Sequence, residues 1–189
     1  MHKHRDLTWE RLSSRYLLKD TWATIRIDAC RKPDGIIVEP YYVYEFPNWV
    51  TALAFTKDGK IILEKQYRHA LGEVIYEIPG GCVDKGDKDY EAAIARELLE
   101  ETGYKFERFE YLGRTSANPS TNTNLMHMFI AYEGELVQDQ ELDHGEDLEV
   151  FFVTMEELLE LLEKGEFVQS MHTTCIYLAL KRLGRLKIA

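Results

Sequence analysis

The stretch RELLEETGY, residues 96–104, sets Glu97, Glu100 and Glu101 three and four positions apart. On a helix turning about 100° per residue these carboxylates share roughly 100° of arc, and like charges at that spacing repel. The flanking residues still demand a helix. A helical period begins near Asp89 and runs to Gly103, a glycine suited to a C-terminal stop. Ile94 and Leu98 mark one apolar flank, Ala92 and Leu99 another, and the glutamates fill the gap. Such a helix is covered on most sides and needs positive charge against its acidic strip. A hard divalent cation supplies it, since magnesium takes oxygen ligands, commonly a few carboxylates with waters and substrate phosphates. Glu97 and Glu101 could bind one ion or two adjacent ions, with Glu100 angled beside them. The bend IPGG, residues 78–81, frees the Gly80 carbonyl as a neutral oxygen nearby. Acidity alone does not decide, because EELLELLE at 156–163 is as acidic and reads as a solvated helix face.

The rest of the chain supplies mostly strands. TWATIRIDAC and IIVEPYYVYEF are rich in β-branched and aromatic residues, with KPDG as turn chemistry between them. WVTALAFT and KIILEKQYR flank an Asp-Gly hairpin signal, and EVIYEIP follows. After the acidic helix come FEYLGRTS, LMHMFIAYEG and LEVFFVT, then a helix with a Thr154–Glu157 capping box and a last helix from about Ser170 to Gly184. Strands interleaved with three helices predict an α/β fold, a mixed sheet covered by helices. Residues 1–47 read as a separate small β-rich piece, and residues 48–189 as the main domain. A net charge of −10 with no basic stretch argues against nucleic-acid and membrane-surface binding. Three widely spaced cysteines give no zinc spacing or disulfide framework. The opening MHKHRDLTWE resembles neither a secretory signal nor a transit peptide, so a cytoplasmic setting is expected.

The segment GGCVDKGDKDYEAAIARELLEETGY resembles the signature of the Nudix hydrolases. That signature is a glycine, five residues, a glutamate, seven residues, then Arg-Glu, an aliphatic, any residue, Glu-Glu, any residue, Gly and an aliphatic. Gly81, Arg96, Glu97, Leu98, Glu100, Glu101 and Gly103 match, with Tyr104 at the aliphatic place. Asp87 stands where the family has its first glutamate, and one extra residue follows it. It either replaces that glutamate or caps the helix. EKQYRHALGEVIYEIPGG, Pro119 in SANPSTN, and HGEDLEV further resemble the ADP-ribose pyrophosphatase branch.

This resemblance implies a Nudix-type α/β/α sandwich with a mixed sheet, plus a small N-terminal antiparallel sheet. It also implies magnesium- or manganese-dependent hydrolysis of a nucleoside diphosphate linked to another group. ADP-ribose is the expected substrate. GDP-mannose or another nucleotide sugar is the nearest rival, and a non-catalytic nucleotide-sugar sensor is a reading from another class. Carried onto this sequence, the metal ligands are Gly80, Glu97, Glu100, Glu101 and Glu146. Arg96 holds a box carboxylate, and Glu146 in QELDHGEDLEV is the expected general base, with Glu141, Asp143 and His144 as alternatives. Arg68 would reach the diphosphate, as a guanidinium suits paired phosphate oxygens. Trp49 is the expected base-stacking aromatic, with Trp22, Tyr42 and Tyr44 also candidates. The tyrosine-rich segment 41–46 and the N-terminal sheet are expected to form a homodimer surface.

Overall fold

A computed structural model describes residues 5–21 and 23–186; Trp22 lies outside the described residues. In chain order the elements are β1 (Glu10–Lys19), β2 (Thr24–Arg31), β3 (Ile37–Glu45), β4 (Trp49–Thr56), β5 (Ile61–Arg68), β6 (Glu73–Glu77), α1 (Tyr90–Thr102), β7 (Tyr104–Lys105), β8 (Arg108–Thr115), β9 (Met126–Leu136), β10 (Leu148–Val153), α2 (Met155–Glu163) and α3 (Ser170–Arg182). They divide into two compact units. One holds the chain up to Phe46 together with Asn118–Asn124, and the other holds Pro47–Ala117 and the chain from Leu125.

The first unit is an antiparallel sheet in the order β1-β2-β3. Its β2–β3 turn is the KPDG segment, where Gly35 takes φ 87° and donates its N–H to the Lys32 carbonyl. Segment 118–124 joins this sheet beside β3: Tyr44 N–H donates to Thr121 O at 2.8 Å, and Thr123 N–H donates back to Tyr44 O at 3.0 Å. β1 is a strand that sequence patterning does not mark, because all ten of its residues are exposed and no buried face imposes a period of two.

The second unit carries the mixed sheet. Its strand order is β10-β5-β4-β9-β7, with β6 on β5 and β8 on β9. β4 and β9 run parallel, and the other pairs are antiparallel. Alternation along β4 makes two cores. Val50, Ala52 and Ala54 face α1 and pack with Ile62, Ala93, Ile94, Leu98 and Phe129. Leu53 faces the opposite layer with Leu63, Ile130, Leu158 of α2 and Ile176 and Leu180 of α3. Helices on both faces of a mixed sheet make the expected α/β/α sandwich, and the small N-terminal antiparallel sheet is present as well. The small Ala52 and Ala54 pack against Ala93, Ile94 and Leu98 of α1, on which Glu97 and Glu101 are buried. Among the described residues no helix is long and apolar enough to cross a membrane.

Candidate active site

The site is built on α1. Asp89 caps the helix by accepting the Ala92 N–H at 2.8 Å, and Gly103 ends it at φ 74° with its N–H on Leu99 O. Asp87 is therefore not the cap. Its two carboxylate oxygens accept the Arg96 fork, Nε at 3.1 Å and Nη2 at 3.0 Å, and one also accepts the Asp84 N–H at 2.8 Å. The hydrogen bond from Arg96 holds the Asp87 carboxyl below its ordinary value. Of the two roles open from sequence, the cap falls to Asp89, and Asp87 is engaged by Arg96 instead.

Arg96 is part of what the acidic strip requires. Its Nη1 donates to Glu97 Oε1 at 3.1 Å and to Glu100 Oε2 at 2.9 Å, while Nη2 also reaches the Cys82 carbonyl. One guanidinium thus ties together three carboxylates and the loop before the helix, a use of its planar fork that lysine could not match. Glu101 is left out of this arrangement. It is 5% exposed and accepts the Gly80 N–H at 2.8 Å. Burial, then the charges of Glu64 and Glu97, push its carboxyl well above the ordinary value. Burial pushes Glu97 up to about 7 in spite of Arg96.

The Gly-Gly turn before α1 is dictated by space. A Cβ on Gly80, which adopts φ 152°, would lie 2.2 Å from Val50 O; one on Gly81 would lie 2.6 Å from the Glu97 carboxyl carbon. The carbonyls of Pro79 and Gly81 accept N–H groups of β4, from Ala52 and Val50. Among the described residues the Gly80 carbonyl accepts no such backbone bond.

The late acidic loop is fastened to the far end of α1. Glu141 N–H donates to Glu100 O at 2.9 Å, and Gln140 Nε2 donates to Glu101 O at 2.6 Å. Within it Glu146 closes a turn on Asp143, its carboxylate accepting the Asp143 N–H at 3.1 Å. The charge of Glu146 acts on Glu64, Glu97 and Glu101, which places it in their electrostatic neighbourhood. Asp143 and His144 are exposed.

Arg68, at the end of β5, is engaged by a residue the sequence reading passed over. Its Nε and Nη2 both donate to Glu77 Oε2 at 2.8 Å, and Glu77 is buried while about half of the arginine side chain stays exposed. Behind Glu77 lies His172 of α3, Nδ1 at 3.8 Å from the other carboxylate oxygen. Burial and the Arg68 charge push that imidazole down to about 3, so it is neutral. Trp49 is half-buried at the start of β4, bridged to Cys82 and packed against the α3-side core. Tyr42 and Tyr44 are exposed on β3 of the first unit, Tyr44 stacked on Phe46.

A second carboxylate missing from the sequence reading is Glu64, in the middle of β5. It is 4% exposed, and burial followed by the Glu77 charge pushes it up to about 8. The signal was a charged residue directly after Ile61-Ile62-Leu63, in the buried first half of the strand. As the side chains stand, no three His, Cys, Asp or Glu groups among the described residues converge to hold an ion. Donor chemistry nevertheless suits a hard divalent cation: the donors are all oxygens, and buried carboxylates raise one another's proton affinity for want of positive charge. Glu64 Oε1 is buried with no hydrogen-bond partner.

Comparison with known proteins gives the family. The NUDIX domain model matches residues 46–171, and that of the nucleoside diphosphate sugar hydrolase N-terminal domain matches residues 9–44. The ADP-ribose pyrophosphatase of Bacillus subtilis (strain 168) is 37% identical over 141 residues, 74% of this chain and 76% of that protein. The GDP-mannose pyrophosphatase of Escherichia coli (strain K12) is 31% identical over 163 residues, 79% of this chain and 84% of that protein. The methanol dehydrogenase activator of Bacillus methanolicus is 29% identical over 147 residues, 77% of this chain and 78% of that protein. The crystal structure of an ADP compounds hydrolase shares the fold, with a TM-score of 0.81 at 22% identity over 97% of this chain and 100% of that one. With most of its length matched by those two adjacent domains, the chain belongs to the Nudix hydrolases, as a member carrying the nucleoside diphosphate sugar hydrolase N-terminal domain.

Proposed function

We propose that this Nudix nucleoside diphosphate sugar pyrophosphohydrolase acts on ADP-ribose, with water, to give AMP and ribose 5-phosphate. The observation that carries the chemistry is the buried pair Glu97 and Glu101 beside the Arg96 clamp. The choice of ADP-ribose is supported by the 37% identity to an ADP-ribose pyrophosphatase. Glu97, Glu100, Glu101, Glu146 and the Gly80 carbonyl are the proposed ligands of magnesium or manganese. When bound, the cation screens the diphosphate charge and eases deprotonation of the attacking water.

This chain's own groups divide the remaining work. Glu146 takes the water proton as the water oxygen bonds to phosphorus and the bridging P–O bond breaks. Arg96 fixes Glu97 and Glu100 so that the donors need not reorganise during reaction. Arg68, held from behind by Glu77, offers its exposed side to the diphosphate, and Trp49 stacks on the base. Residues 1–47 form the proposed homodimer element. In support, β1 is exposed along its length and carries Leu12, Tyr16, Leu17 and Leu18; a sedimentation mass of one chain would contradict it.

GDP-mannose is the second reading, because the GDP-mannose pyrophosphatase aligns over a longer stretch, 163 residues against 141. A screen of nucleotide sugars with magnesium separates them through the ratio of kcat/KM values. The expected ratio favours ADP-ribose. A ratio of about tenfold or more toward GDP-mannose, some 1.4 kcal/mol in the barrier, keeps the chemistry and replaces the substrate. Binding of ADP-ribose without cleavage would make the protein a sensor.

A further inference from the structure

β5 begins with Ile61, Ile62 and Leu63, each completely buried, and Glu64 continues the same run. Across the sheet Glu64 is paired with Val150 on β10 and with Glu77 on β6, so it lies inside the sheet rather than at a wet edge. Strand alternation puts Glu64 on the face of Ile62. That face packs against Ala93, Ile94 and Leu98 of α1, the helix that bears Glu97 and Glu101. The carboxylate is 4% exposed and its Oε1 has no hydrogen-bond partner.

A buried carboxylate with an unpaired oxygen is among the costliest arrangements a strand can hold. A fourth apolar residue would extend the run without that cost. Sequence rules broken in this way, with a buried oxygen left unbonded, mark functional positions. The neighbours say which function. After burial itself, the charge of Glu64 is the largest influence on Glu101, ahead of Glu97. Glu64 in turn feels Glu77 most, is partly offset by Arg68, and then feels Glu146 and Glu97. Every acidic group in this set is a carboxylate. Arg96 bonds Glu97 and Arg68 bonds Glu77, but Glu64 Oε1 is left with no hydrogen-bond partner, and a bound cation would relieve the set together.

We propose that Glu64 is a further carboxylate ligand for the divalent cation, contributed by β5 rather than by the α1 box or the late loop. The inference rests on the reading that Glu97 and Glu101 hold that cation. It makes Glu64 a group kept for binding at the expense of the metal-free fold.

Two substitutions in the full-length protein test it: Glu64→Gln, which keeps the shape, and Glu64→Met, which also removes the polarity. Manganese binding is followed by calorimetric titration and by the spin resonance of free Mn2+, and melting is followed in chelator-treated protein. Both variants should bind manganese about tenfold or more weakly, in the range set by lost metal-site partners. Metal-free Glu64→Met should melt above the parent. If Glu97→Gln loses manganese affinity while both Glu64 variants bind like the parent, the Glu64 assignment falls and the box reading stands. A metal-free Glu64→Met that melts below the parent, with parental manganese affinity, makes Glu64 a structural residue and overturns the proposal. If Glu97→Gln and Glu101→Gln themselves bind manganese like the parent, the box reading fails, and Glu64 fails with it.

Discussion

Arg96 shows how one side chain resolves a sequence ambiguity. Asp87 and Asp89 are two residues apart and chemically alike, yet one clamps the arginine and the other caps α1. Asparagine caps a helix about as well as aspartate, so Asp89→Asn should leave kcat and melting nearly unchanged. Asp87→Asn removes the charged acceptor for the fork and frees Arg96 to swing from Glu97 and Glu100. Turnover should fall about tenfold or more, roughly 1.4 kcal/mol in the barrier, with little change in melting. Steady-state kinetics and thermal melts on the two variants check this contrast, and equal activities would remove Asp87 from the site. The box glutamates and the arginine were legible because their spacing is a pattern within one helix. Glu64, Glu77 and His172 were not, because what matters about them is a neighbour brought in from another strand or helix.

At the scale of elements, the Gly80-Gly81 turn joins β6 to the segment that leads into α1, and its two glycines are needed for different reasons. A Cβ at Gly80 would strike backbone of β4, and its φ of 152° disfavours any other residue. Gly80→Ala should therefore destabilise the fold by about 2 kcal/mol or more, visible as a lowered denaturant midpoint. At Gly81 the obstacle is the end of the Glu97 side chain, which can move. Gly81→Ala should keep most of the stability and lose activity. If both variants lost stability equally and neither affected Glu97, the turn would be only a connector. Most elements could be read ahead of the structure: the Asp-Gly hairpin, the capping box at Thr154 and the buried strands all announce themselves locally. β1 lies largely within the stretch that reads as mostly strand but is not marked off as an element, since all ten of its residues are exposed. Nor could the sequence show the pairing of segment 118–124 with β3, in which Tyr44 meets Thr121 and Thr123, nearly eighty residues along the chain.

For the molecule as a whole, the concentration of buried carboxylate has a thermodynamic consequence. Glu97 is raised to about 7 and Glu64 to about 8 from an ordinary 4.5. Between those values the folded chain binds protons that the unfolded chain has released, so stability falls as pH rises. The contribution is complete below the unfolded value and lost through the folded ones. Scanning calorimetry of metal-free protein should show the melting temperature declining from about pH 5 to about pH 8, with added magnesium restoring it most at the alkaline end. A flat or rising profile would mean these carboxylates stay ionised in the fold. The central claim, that the α1 carboxylates serve a cation-dependent cleavage of a nucleoside diphosphate sugar, is tested most directly by one comparison. It is the turnover of ADP-ribose, with products identified, by parent and Glu97→Gln protein with magnesium and with chelator. The account predicts AMP and ribose 5-phosphate from the parent with magnesium only, and a rate lower by about two orders of magnitude in Glu97→Gln, roughly 3 kcal/mol in the barrier. Cleavage that persists in chelator, or a Glu97→Gln protein as fast as the parent, would contradict it.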